Sequence, residues 1–262
     1  MKWNRIHALL LRHLWPLKRD LDMLSELLYW PFIDVISWGL ASEWLSQSNS
    51  DIGGAIVSIL IALLLWNIIW LSQGGVAHNL MDELWNNNLL NMFSSPLQIS
   101  EWIISVLLLS LVRLIITGGF VALAIALLYT INVFSLGWWL LPFILSAMMT
   151  GWATGFFSAG IVIRYGHKAQ TIIWTLPGIL IPLSAVYYPV SQLPVGFRQI
   201  SSLVPTTYIF EAMRGILFGN QVPVQEILLS FGMNVIYIVL AIVFFIRMFE
   251  KSKELNLSRL NS

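Results

Sequence analysis

The feature that most restricts this chain is a run of fifty residues, Leu114 to Ile163, without a single Asp, Glu, Lys or Arg. A helix crosses a hydrocarbon core of about 30 Å in roughly 20 apolar residues, so this run is too long for one crossing and long enough for two. It breaks at Tyr129-Thr-Ile-Asn-Val-Phe-Ser-Leu-Gly137, where polar and turn-forming residues gather, placing crossings at 102–128 and 138–163. Ile52 to Ala77, Ala169 to Phe197 and Ile227 to Ile246 also lack those four residue types, giving crossings at 53–76, 169–188 and 227–247. Pro177 and Pro182 kink the middle one. Leu27 to Leu45 is apolar overall but holds Asp34 and Glu43, and supplies a first crossing at 27–47. The expected fold is an all-α membrane protein with six transmembrane helices.

Composition agrees with this reading. Of 262 residues, 58% are hydrophobic and 10% charged, against about a quarter charged in a soluble domain. A net charge of +1 argues against a nucleic-acid partner, which requires a concentrated field of Lys and Arg. The absence of Cys excludes disulfides and thiolate metal ligands, and His7, His13 and His78 stand at no metal-ligand spacing. Arg12, Lys18 and Arg19 interrupt any apolar core near the N-terminus, so that segment does not read as a cleavable signal peptide.

Orientation follows from the basic residues, which accumulate on the cytoplasmic side. Eleven of the 14 lie in the first 19 residues, between 164 and 168, or from Arg247 onward. An even number of crossings brings these segments together, so both termini are expected in the cytoplasm. Within residues 1–26, Ile6, Leu9, Leu10, Leu14 and Leu17 recur at helical spacing among basic residues, the pattern of a helix lying in the membrane interface. A simple basic anchor is the plainer alternative. Residues 251–262 form a cytoplasmic tail, and 27–250 the membrane domain.

Between the last two crossings lies Pro182-Leu-Ser-Ala-Val-Tyr-Tyr-Pro-Val-Ser-Gln-Leu-Pro194, followed by Leu203-Val-Pro-Thr-Thr-Tyr-Ile-Phe-Glu-Ala-Met-Arg-Gly215. It is too polar for a crossing and too apolar for an open loop, which suggests a re-entrant helical pair at 189–215, its backbone covered by protein. This region resembles the signature of type-2 ATP-binding-cassette (ABC) exporter permeases. Ser184, Pro189, Ser191, Leu193, Pro194, Pro205, Thr207, Tyr208, Glu211, Ala212 and Arg214 stand in the family's order, with Ala185 in place of its usual Gly and Val204 in place of its Asn.

A second resemblance, between the second and third crossings, is to the family's cytoplasmic coupling helix. Residues 81–96 align Glu83, Leu89 and Pro96 with its acid, leucine and proline, while Asn87 and Asn88 replace Gly-Thr. The resemblance implies a permease subunit of an ATP-driven exporter, without enzymatic activity of its own, in a prokaryotic cell (inner) membrane. It implies two copies of an ABC ATPase subunit as partners, a second permease subunit (most simply a homodimer), and contact with membrane lipids. ATP and Mg would then belong to the ATPase, since this chain has no G-x-x-x-x-G-K-S/T phosphate loop and is expected to bind no cofactor itself.

On this resemblance Asp82, Glu83, Leu89 and Pro96 couple to the ATPase, while Ser184, Tyr187, Tyr188, Pro189, Pro194, Pro205, Tyr208, Glu211 and Arg214 form the re-entrant gate. The cargo would be amphipathic or lipid-linked: a drug, a lipid or a polysaccharide. An ATP-independent carrier or a structural scaffold is the alternative; a carrier is expected to show an inverted repeat, and none is visible.

Arg113 falls mid-way along the third crossing, where an unpaired cation costs about 3 kcal/mol. It either lines the translocation path or makes an intramembrane pair, with Asp34 or Glu101 as partners. Glu211 and Arg214, three residues apart on a helix, can pair on one face. Gly151-Trp-Ala-Thr-Gly155 fits a close helix contact, between subunits or within one. Trp30, Trp44, Trp138, Trp139 and Trp152 suit interfacial belts, with stacking on a sugar as the alternative use.

Overall fold

Helix is the only regular structure among the residues that the computed structural model describes, 2–47, 53–86, 88–219 and 223–254. The amphipathic α1 (Trp3–Leu14) buries Ile6 and Leu9 and packs on α6 (Ile99–Tyr129). After a turn of 3-10 helix, Asp20 caps α2 (Leu21–Leu24) by accepting from the backbone N–H of Asp22 and Met23. A π-helical turn, Ser25–Tyr29, joins α2 to α3 (Trp30–Gln47). Next come α4 (Gly53–Trp85), the short α5 (Leu89–Ser94) and α6, which opens on a capping box between Gln98 and Glu101. The chain continues through α7 (Leu140–Tyr165), α8 (Ile172–Leu183), α9 (Val195–Ser201), α10 (Pro205–Leu217) and α11 (Val224–Glu254).

Four helical segments among the described residues are long and apolar enough to cross a membrane: Gly54–Trp85, Ile99–Tyr129, Val133–Ala169 and Val224–Lys253. They lie over four of the six expected crossings. The other two expected crossings, 27–47 and 169–188, lie on shorter or more polar helices. The 18 residues of α3 include Asp34 and Glu43. The 12 residues of α8 contain Pro177 and Pro182, and at 1.5 Å per residue they extend about 18 Å, well short of the hydrocarbon core.

At the centre is α4, whose residues 60 to 65 are all buried and therefore face protein on every side. By contrast α11 leaves Leu228, Val235, Val239 and Val243 exposed, an apolar surface suited to lipid. The seam between α4 and α7 is set by glycine. A Cβ on Gly151 would lie 2.5 Å from the Ile69 carbonyl oxygen, and one on Gly155 2.9 Å from that of Gln73. The small-residue motif thus joins two helices of one chain. Across α7 and α11 a buried hydroxyl and amide network links Ser146 to Ser230 at 2.7 Å and Thr150 to Asn234 at 2.8 Å.

The basic segments gather at one end of the bundle. Ser252 on α11 donates to the Ile163 carbonyl near the end of α7, Trp85 at the end of α4 donates to Gln170, and Arg5 reaches the Pro96 carbonyl before α6. The segment 184–208 lies at the other end, where Ser230 donates to the Pro205 carbonyl and Tyr237 to that of Leu203. Asn87 and the tail from 255 lie outside the described residues.

Candidate functional site

At the end where α1 begins and α11 finishes, the described residues between α4 and α6 are tied down from several directions. Glu83 is only 3% exposed. Its Oε2 accepts from Arg12 at 2.8 Å and from Asn88 at 2.6 Å. Glu101 accepts from the Lys2 backbone at 2.6 Å and lies 3.4 Å from Arg5. Leu89 is buried, so among the four residues expected to couple to a partner only Asp82 and Pro96 present surface. Glu83 holds the loop to α1 from inside. The helix expected over 81–96 is two pieces, the last turn of α4 and the six residues of α5.

At the opposite end, each residue of the proline-rich segment has a definable contact. Ser184 is buried and bonded to Thr206 at 2.7 Å, and Tyr187 stacks on Trp38 of α3 at 4.2 Å. Tyr188 donates to the Pro182 carbonyl and Tyr208 to that of Ser202, each closing a local loop. Pro189 and Pro194 precede the short helices Val190–Gln192 and α9, and Pro205 starts α10. Glu211 accepts from the Val190 backbone and from Arg214, both at 2.8 Å. Arg214 also donates to the carbonyls of Ala185 at 2.9 Å and Val186 at 3.2 Å. Ala185 sits in the left-handed region with φ of +51°, a conformation that favours glycine. The segment expected as a helical pair over 189–215 is three helices, with that left-handed turn ahead of them.

Between α1, the Ser25–Tyr29 turn, α3, α4 and α8 lies a cavity of about 950 Å³. Trp66, Trp70 and His78 face it from α4, and Trp174 faces it from α8. The indoles of Trp70 and Trp174 are 6.1 Å apart, and the His78 ring lies 4.3 Å from Trp174. Glu26 is bonded to His78 at 2.7 Å, in space left by Gly74, where a Cβ would meet both side chains. Burial alone would raise the Glu26 carboxyl, but the hydrogen bond to His78 and the charges of His78 and Arg113 outweigh it and hold the pKa below its ordinary value. His13, also in the wall, is pushed down to about 4, first by burial and then by Arg12 and Arg113.

Asp34 lines this cavity from α3. Arg113 is 2% exposed, and its Nε has no hydrogen-bond partner. Among the described residues no ion pair joins Arg113 to Asp34 or Glu101; its charge acts instead on Glu26, Asp82 and His13. Sequence reading did not assemble this site, because its walls come from five segments spread between Arg12 and Trp174. One signal was present: Trp66, Trp70, Gly74 and His78 recur every four residues along one face of α4.

Among known proteins, the profile of a family described as ABC-2 type transporter matches residues 7–218. Nodulation protein J of Rhizobium leguminosarum bv. viciae is 37% identical over 57 residues. That match spans 22% of this chain and about a fifth, 21%, of the relative's length.

Proposed function

We infer, from the premise that the chain belongs to the ABC-2 type transporter family and is therefore a multi-pass transport permease, that it is the membrane subunit of an ATP-driven exporter. In this reading the end bearing the termini faces the cytoplasm. The cavity takes up an amphipathic cargo there, and the proline-rich end releases it on the far side. The observation that carries the reading is the set of contacts that fix the segment between α4 and α6 at Glu83, Asn88 and Pro96. The Arg12–Glu83–Asn88 contacts and the Arg5 contact with Pro96 bind α1, α4 and α6 into one surface, able to pass a push from a partner ATPase to the spans as a rigid-body movement.

Two copies of the chain with two ATPase subunits complete the assembly. α3 supports a second copy, since Asp34, which lines the cavity, is also open to the outside of the subunit, with Ser37 and Leu40 exposed nearby. A carboxylate at that position is costly against lipid, and a facing subunit or a water-filled path between subunits relieves the cost. Six crossings, with α3 and the segment 169–188 built around α8 completing the count, accommodate this arrangement.

Because the chain has no Cys, single-cysteine variants give an unambiguous test. Asn91→Cys should react with a membrane-impermeant maleimide from the cytoplasmic side, and Gly196→Cys from the outside. Reconstituted with its ATPase, the wild-type chain should support cargo-dependent ATP hydrolysis. Labelling of both positions from one side, or no hydrolysis with any ATPase that binds the chain, refutes the exporter.

A further inference from the structure

The cavity's chemistry narrows the cargo. We propose that it receives the cationic head, an amine or quaternary ammonium group, of an amphipathic molecule; this rests on the exporter reading and gives its substrate a chemical class.

The argument begins with charge. The wall contains six carboxylates, from Asp20, Asp22, Glu26, Asp34, Asp82 and Glu83, and one guanidinium, from Arg12. Glu26 is bonded to His78 and Glu83 to Arg12 and Asn88. Asp34 and Asp82 make no side-chain hydrogen bond or salt bridge among the described residues. Arg113, close enough for its charge to act on Glu26 and Asp82, offsets part of the excess and leaves the wall negative. Asn67, 7% exposed, donates its amide to Leu63, so its carbonyl oxygen adds an acceptor.

The second element is aromatic. Trp66, Trp70 and Trp174 face the same space, and a cation within about 6 Å of an indole face is attracted by the ring quadrupole. Their apolar area also receives the hydrocarbon next to the charged nitrogen. An anion meets repulsion here. A neutral sugar stacks on the rings but leaves the carboxylates of Asp34 and Asp82 without a counter-charge. A volume of about 950 Å³ is at the upper end of the range for sites that hold a drug-sized molecule.

Tetraphenylphosphonium and tetraphenylborate share size and shape and differ in sign, so together they isolate charge. The whole chain in phosphatidylcholine nanodiscs, without ATPase, is titrated with each, and with maltotetraose, while tryptophan fluorescence is read against empty discs. Saturable quenching by the phosphonium alone is expected. Asp34→Asn with Asp82→Asn should weaken it tenfold or more, and Asp34→Glu with Asp82→Glu should restore it, separating charge from misfolding. Saturable binding of the borate or the sugar at comparable concentration, or phosphonium binding indifferent to the Asn pair, overturns the proposal. ATP hydrolysis with the ATPase is measured separately. Charge-selective binding without hydrolysis keeps the site and removes the exporter, whereas hydrolysis with charge-blind binding keeps the exporter and removes the cationic cargo.

Discussion

Replacing Arg214 with Met removes three contacts from one guanidinium, and the structure weights them unequally. The ion pair is the weaker part. Glu211 keeps 38% of its side chain exposed, and a pair open to solvent on one side contributes about 0–1 kcal/mol. The carbonyls of Ala185 and Val186 belong to residues that are 0% exposed, and each buried acceptor deprived of a charged donor costs about 1–3 kcal/mol. Arg214→Met should therefore destabilise the fold by about 2–7 kcal/mol, and Glu211→Gln, which retains an acceptor for the Val190 N–H, by about 1 kcal/mol or less. Arg214→Lys, with one ammonium in place of a planar fork, should fall between them. Unfolding the purified chain by SDS titration in mixed micelles, with the 13 tryptophans as reporter, measures all three. If Glu211→Gln costs as much as Arg214→Met, the salt bridge anchors this end and the carbonyl clamp does not.

The same titration tests three further expectations. Ala185→Gly should stabilise by up to about 1 kcal/mol, because alanine bears a left-handed strain there that glycine avoids; a loss larger than that would show that packing of the methyl outweighs strain. Gly151→Ala, which puts a Cβ 2.5 Å from the Ile69 oxygen, should cost about 1–3 kcal/mol. Gly119→Ala, with nothing within 4 Å, should gain about 0.5–1 kcal/mol, and equal effects at the two sites would refute the dry α4–α7 seam. His13 is held neutral in the fold, with its pKa lowered from 6.5 to about 4, so the unfolded chain takes up its proton first. Stability from this group is fully present above pH 6.5 and falls as pH drops toward 4, by about 2–3 kcal/mol at pH 4.5. His13→Gln should abolish that part of the pH dependence, and an unchanged slope would refute it.

Uncharged run length located the four long helices, because lipid imposes a minimum on helix length that a single sequence displays directly. The spacing of Glu211 and Arg214 likewise brought together two residues that bond at 2.8 Å. Direction was harder to read. Glu83 was expected to meet a partner, yet its carboxylate turns inward to Arg12, seventy-one residues away in sequence. Arg113 was recognisable as a buried cation, but its neighbours Glu26 and Asp82 come from two other helical segments. The aromatic and acidic cavity depends on α3 and α8 lying beside α4, and no local pattern specifies such adjacency.

The glycine-lined contact of α4 with α7 also bears on movement. With backbone oxygens of one helix packed into the glycines of the other, and with serine, threonine and asparagine joining α7 to α11, these three helices have no slack along which to slide. They form one block, which moves as a whole or not at all. On the proposed transport reading, α1 and α6 travel with α4 through the Arg12–Glu83 and Arg5–Pro96 contacts and the relative movement falls to α3 and α8, so a cross-link from α4 to α7 should leave turnover untouched while one from α3 to α4, which pack together, should arrest it.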